Sequence, residues 1–164
     1  MPKFVVGVMG QGDSARQEDC AHAESLGEMI AKEQWVLLTG GRNVGVMEAA
    51  NRGAKRVPGS LTVGILPNRE SKASPFADIV IITDMNEARN NINVLSSNVI
   101  VACGQVGPGT TSEIALALKA DKTVLLLGGT EQAAAFFQDL SAEKIIRVDS
   151  AKKAIEIIKS RLHQ

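Results

Sequence analysis

Short runs of Val, Ile and Leu alternate along the chain with longer stretches that mix apolar and polar residues at helical spacing. The runs predict strands over 3–9, 35–39, 61–66, 78–83, 98–102, 123–127 and 144–148. They are nearly continuous rather than alternating, the pattern of parallel strands covered on both faces. The mixed stretches predict helices over 14–33, 44–56, 85–97, 110–120, 130–139 and 149–162. Ser14-x-x-Gln17 and Thr110-x-x-Glu113 fit the capping box, in which a hydroxyl and a side-chain carbonyl or carboxylate satisfy each other's backbone donors. Asp84 and Asp149 fit helix N-caps. This alternation implies a doubly wound, mainly parallel α/β sheet of Rossmann-like type, with right-handed crossovers and helices on both faces.

With 164 residues and no linker, repeat or low-complexity tract, the chain is expected to form one domain over 1–164. The longest polar connection, Pro67 to Pro75, is expected to be a mobile loop near a ligand, because ligands of such sheets sit beyond the carboxyl ends of the strands.

Charge changes the picture by subtraction. Lys and Arg number 18, and so do Asp and Glu, so the formal net charge is zero. That argues against a basic nucleic-acid surface. Four Phe, one Trp and no Tyr argue against a base-stacking platform. No run approaches the ~18 apolar residues of a membrane span, and the N-terminal MPKFVVGVMG is broken by glycine too early for a signal peptide. Cys20 and Cys103 stand in no metal-ligand spacing and are expected to be free thiols, which suits a reducing cytoplasm. His22 and His163 make no site, and no protein-bound metal is expected.

The candidate chemistry lies in glycine-rich turns. Gly104-Gln105-Val106-Gly107-Pro108-Gly109-Thr110 follows the run Val99–Ala102 and enters a helix. The first N–H groups of a helix have no partner inside it, and small residues let an anion approach them. The expected ligand therefore carries a phosphate, bound by Gly107, Gly109 and Thr110, with Thr111 next in line. A second such turn, with Gly40, Gly41, Arg42 and Gly45, follows Trp35–Leu38. Its glycines serve either an anion or simply a tight strand-to-helix turn. Arg42 serves either a phosphate or the solvated surface. After the first strand, Gly7, Gly10 and Gly12 give G-x-x-G-x-G and not the dinucleotide fingerprint G-x-G-x-x-G, and no Walker pattern occurs. Glu113 is either a cap partner or a carboxylate near a ligand. Arg89 and Asn93 share a helix face at i, i+4 in an asparagine-rich patch, which suits a ligand or a polar subunit contact.

Together these motifs resemble the Lonely Guy-like superfamily of Rossmann-type proteins. Its hydrolase members carry a glycine turn ending in Gly-Leu-Met-Gly, an Arg-Lys pair and Pro-Gly-Gly-x-Gly-Thr-x-x-Glu. The matching positions are Gly40, Gly41 and Gly45 with Val46-Met47, then Arg89, then Gly107, Gly109, Thr110 and Glu113. The resemblance implies cleavage of an N-glycosidic bond in a nucleoside 5′-monophosphate, with Arg89 and Glu113 as the catalytic pair. Two departures argue against turnover: Asn90 replaces the lysine, and one extra residue separates Arg89 from Thr110. A shift of an ångström at a reacting group can cost about 100-fold in rate.

Across nearly its whole length the chain also resembles the molybdenum cofactor carrier proteins of algae and cyanobacteria. The shared blocks are Gly7–Gly10, Leu37–Arg42, Gly45–Met47, Ala88–Asn93, Leu95–Val99 and Gly107–Thr110 running into Glu113–Ala120. This resemblance implies a homo-oligomer, a tetramer or alternatively a dimer. It implies that the protein binds the phosphate-bearing cofactor as cargo, protects it and hands it to molybdenum enzymes without catalysis. The implied cargo-binding residues are Gly10, Gly12, Gly40, Gly41, Arg42, Gly45, Arg89, Asn93, Gly107, Gly109, Thr110, Thr111 and Glu113.

Overall fold

In the computed structural model, which describes residues 2–162, seven strands form one parallel sheet in the order β4-β3-β2-β1-β5-β6-β7. The elements in chain order are β1 (Val5–Gly10), α1 (Gln17–Lys32), β2 (Val36–Thr39), α2 (Gly45–Ala54), β3 (Leu61–Leu66) and β4 (Ile79–Ile82). A single 3₁₀ turn (Asn86–Ala88) leads into α3 (Arg89–Leu95), followed by β5 (Val99–Cys103), α4 (Pro108–Lys119), β6 (Val124–Leu127), α5 (Glu131–Leu140), β7 (Ile145–Val148) and α6 (Ala151–Leu162). This is the doubly wound α/β fold that the alternation predicts.

The sheet divides the core into two layers. On one face β1, β2, β5 and β6 pack under α1, α2 and α6, through residues such as Val6, Val8, Leu26, Ile30, Val46 and Ile155. On the other, Met9, Ile65, Ile100, Val124 and Leu126 pack under α3, α4 and α5 through Val94, Ile114 and Phe137. Burying each such side chain contributes about 1.5–3 kcal/mol. Trp35 packs on Phe4, with ring centroids 5.1 Å apart.

Four boundary expectations are corrected. The first helix starts at Gln17 rather than 14; the Ser14 hydroxyl donates to Gln11 instead of capping. Asp84 caps nothing: it lies at positive φ and its carboxylate pairs with Arg69 at 2.8 Å. The helix predicted over 85–97 is split into the 3₁₀ turn and α3. At α6 the N-cap is Ser150, whose hydroxyl oxygen accepts the Lys153 N–H at 3.3 Å, one residue beyond Asp149. Burial also differs at the two edge strands, and in β7 Arg147 is exposed. Ile79, Val80, Ile81 and Ile82 of the edge strand β4 are 40–54% exposed, not covered on both faces. His163 lies outside the described residues.

The chain reverses its winding between β4 and β5. The strands from β1 to β4 progress to one edge; β5 then returns to the far side of β1. The crevice at such a reversal, beyond the strand carboxyl ends, is where ligands of open α/β sheets bind.

Candidate functional site

The turns after β1, β2 and β5 meet at that crevice and line one cavity of about 470 Å³. Gly10, Gly12, Gly40, Arg42, Arg89, Gly107, Gly109, Thr110 and Glu113 all border it. Gly41, Gly45, Asn93 and Thr111 are not among its lining residues.

Gly45 opens α2 at φ +55, and a Cβ there would collide with the carbonyls of Gln11 and Gly12. The first two turns are therefore in backbone contact, and the Val46 N–H donates to the Gln11 carbonyl at 3.0 Å. Gly41 receives the Ser74 N–H on its carbonyl at 2.8 Å, and Arg42 bridges to Ala73. Those bonds bring the segment after β3 over the cavity, where Pro67, Asn68 and Ser71 join its wall.

The turn after β5 is anchored from below. Gly104 lies at φ +82, and a Cβ there would strike the side chain of Asp19. The buried Asp19 carboxylate accepts the Gln105 N–H at 3.3 Å and is clamped by Arg16 at 2.8 and 3.1 Å. Burial works to raise the Asp19 carboxyl, but Arg16 and the Gln105 N–H outweigh it and hold it below the usual value. Cys103, the last residue of β5, is buried and donates its thiol to the Asp19 carbonyl at 3.5 Å. Burial pushes that thiol up to about 12, and it does not border the cavity.

Helix α4 begins at Pro108, with Gly107 as N-cap. Proline at the first position loses no bond, since its N–H would be an orphan. The Thr111 N–H donates to the Gly107 carbonyl at 2.8 Å, whereas the N–H groups of Gly109 and Thr110 have no partner among the described residues. A Cβ on Gly109 would meet nothing within 4 Å. Two donors without protein partners thus stand at the positive end of a helix that borders the cavity, an arrangement that can receive an anion.

The expected capping box at Thr110 is absent. Glu113 lies inside the second turn of α4, and its Oε1 accepts the Asn93 Nδ2 at 3.0 Å. Glu113 is 6% exposed, and burial pushes it up to about 7 against the opposing pull of Asn93 and Arg89. Arg89 is 7% exposed, its Nε has no partner, and its guanidinium rests over Gly40, within 2.8 Å of where a Cβ would stand. Arg42 instead stands at the rim, half-exposed and paired with Asp13 at 3.1 Å. The cavity therefore has a buried floor carrying one cation and one carboxylate, and a screened ion pair at its mouth. Arg89 and Asn93 do share a helix face. Arg89 reaches the cavity, while the fully buried Asn93 holds Glu113 from behind.

Sequence reasoning missed several lining residues: Gln11, Asp13 and Ser14 after β1, Asn68 and Ser71 after β3, and Asn86 and Glu87 in the 3₁₀ turn. The Pro67–Pro75 connection carried a signal as a long polar loop, and the asparagine-rich run that begins at Asn86 carried another; the residues after β1 carried none. Among the described residues no group of three or more His, Cys, Asp or Glu is placed to hold a metal ion, and no helix is long and apolar enough to cross a membrane.

A model of the SLOG cluster4 family matches residues 3–155. The molybdenum cofactor binding protein of the phototrophic bacterium Rippkaea orientalis is 50% identical, covers 99% of each chain and superposes with a TM-score of 0.94. The molybdenum cofactor carrier protein of Chlamydomonas reinhardtii is 44% identical over 99% of this chain and 100% of its own, with a TM-score of 0.93. An uncharacterized protein of Archaeoglobus fulgidus is 47% identical over 127 residues, 77% of this chain and 82% of its own.

Proposed function

The chain belongs to the SLOG cluster4 family, and from that premise we propose that it binds the molybdenum cofactor, protects it and passes it to molybdenum enzymes without turnover. The observation that carries this reading is the meeting of three glycine turns on one cavity that two arginines also line, with the Gly109 and Thr110 N–H groups unpaired among the described residues. The cofactor combines a phosphate with a pterin that bears a dithiolene-bound molybdenum. Gly107, Gly109, Thr110, Gly10, Gly12, Gly40 and Arg42 suit its phosphate end; amides and hydroxyls such as Gln11, Ser14, Asn68 and Ser71 suit the pterin heteroatoms. The volume of about 470 Å³ falls in the ordinary range for small-ligand sites. Gly41, Gly45, Asn93 and Thr111 act on the cargo by holding those groups in place. The solved relatives described as binding or carrying this cofactor add weight. Titrating isolated cofactor into the purified protein tests the reading: saturable binding at micromolar level is expected, and its absence refutes it.

The same reading takes residues 1–164 as one cytoplasmic domain that works as a homo-oligomer, a tetramer or alternatively a dimer. The exposed apolar edge strand β4 supports assembly, since such an edge is a liability if left open to water.

A second reading, a phosphoribohydrolase of nucleoside 5′-monophosphates, draws support from Arg89 and Glu113 sharing the cavity floor. Glu113 at about 7 sits in the range useful to a general acid or base. Against it, Asn90 stands where the hydrolase resemblance expects lysine, and its amide donates to Ser112 at 2.9 Å.

A further inference from the structure

The cavity wall holds three carboxylates, and they differ in what is left for a ligand. Asp13 is exposed and already paired with Arg42. Glu87 is exposed in the 3₁₀ turn. Glu113 alone of the three is buried. Its Oε1 is held by Asn93, and its other oxygen has no protein partner among the described residues. No ion pair with Arg89 consumes it: the guanidinium influences it by charge but rests over Gly40. A desolvated carboxylate aimed into a cavity and held from behind is costly unless a ligand supplies donors to it.

A phosphate cannot supply them, because two anions in one desolvated place repel. The donors must come from the other end of the cargo. A pterin presents such a group, the 2-amino-4-oxopyrimidine edge, with an N–H and an NH₂ side by side. A carboxylate accepts both in parallel, as it does from a guanidinium fork. Resting on the carrier reading above, we infer that Glu113 recognises the ring of the cargo: its carboxylate accepts the paired N–H donors of the aminopyrimidinone edge, while the phosphate lies against the glycine turns. Asn93 is then a positioning residue that fixes the carboxylate plane. The arrangement gives the site ring specificity, because a ring lacking the amino group leaves a buried acceptor unpaired, and buried polar groups left unpaired discriminate strongly.

Guanine carries the same edge as a pterin, and hypoxanthine lacks only its 2-amino group. Calorimetric titration with GMP, IMP and inorganic phosphate therefore isolates the contact. The wild type is expected to bind GMP about tenfold more tightly than IMP. In Glu113→Gln the ratio should fall below twofold while inorganic phosphate is bound at least as tightly as by wild type, since a negative charge has been removed from the cavity. Glu113→Asp, which keeps the charge but withdraws it by a methylene, should also lower the ratio, and thermal unfolding establishes that both variants are folded. An unchanged GMP/IMP ratio in both variants, no discrimination by the wild type, or no binding of either nucleotide overturns the inference. The carrier reading fails separately. Cofactor retained without discrimination refutes only the ring contact; discrimination without cofactor retention refutes only the carrier.

Discussion

The carboxylate of Asp19, near the start of α1, accepts the backbone N–H of Gln105 at 3.3 Å and so fixes the turn that leads to α4. Gly104 permits this approach, because a Cβ there would overlap the same side chain. The turn whose N–H groups are left without protein partners among the described residues is therefore held by a residue 86 positions away in sequence.

Asp19→Asn should cost about 1–3 kcal/mol, since the charge-assisted clamp to Arg16 is lost at a buried site. Chemical denaturation at neutral pH measures it. The folded-state carboxyl lies below its ordinary value, so its contribution is present above the unfolded value and is lost as pH falls through the folded one. The difference between wild type and Asp19→Asn should accordingly shrink on acidification below about pH 4. A difference that stays constant with pH would contradict the clamp.

Glu113 has the opposite sign. Its folded value is raised to about 7, so the folded protein holds that proton more tightly than the unfolded chain does. Stability from this group is complete below about pH 4.5 and is lost as pH rises to about 7. Glu113→Gln retains a carbonyl acceptor for Asn93 and has no charge to bury. It should be more stable than wild type at pH 8, by about 3 kcal/mol at most, and lose that advantage near pH 4. Equal pH profiles for the two proteins would show that Glu113 ionises as an exposed carboxylate does.

Two glycines separate fold from binding. Gly45→Ala would press a Cβ into the Gln11 and Gly12 carbonyls at positive φ, and should destabilise the protein by about 2 kcal/mol or more. Gly109→Val fills only open space at the mouth of α4. It should leave the melting temperature of the free protein within a few degrees of wild type and abolish the upward shift given by phosphate or sulfate. Equal ligand-induced shifts in Gly109→Val and wild type would remove this turn from the anion site.

Much of this architecture was legible in the chain. The strand runs are apolar because they are parallel and most of them are covered by helices on both faces, and all seven appear. The edge strand Ile79–Ile82 has the same composition but little cover, and position within a sheet leaves no mark on composition. Thr110-x-x-Glu113 misled because its spacing is a local signal; the partner that prevails, Asn93, comes from the neighbouring helix. The glycines of the β1, β2 and β5 turns stood out because close backbone approach needs them. Gln11, Asp13 and Ser14 did not, since only the convergence of distant loops gives those ordinary polar residues a common wall. Asp19 was equally silent, being one acidic residue in the first turn of an amphipathic helix.

The hydrolase reading is tested by incubating the protein with AMP and with cytokinin-type monophosphates. No free base or ribose 5-phosphate is expected above the buffer blank. Release of base that disappears in Glu113→Gln would make the protein an enzyme.

The central claim, that this cavity shelters the molybdenum cofactor, is tested most directly by the oxidative decay of isolated cofactor in air, with and without an equimolar amount of the protein. The lifetime of cofactor able to activate an apo-enzyme should lengthen several-fold with wild type and return to the unprotected value with Gly109→Val. Decay at the unprotected rate in the presence of folded wild-type protein would contradict it.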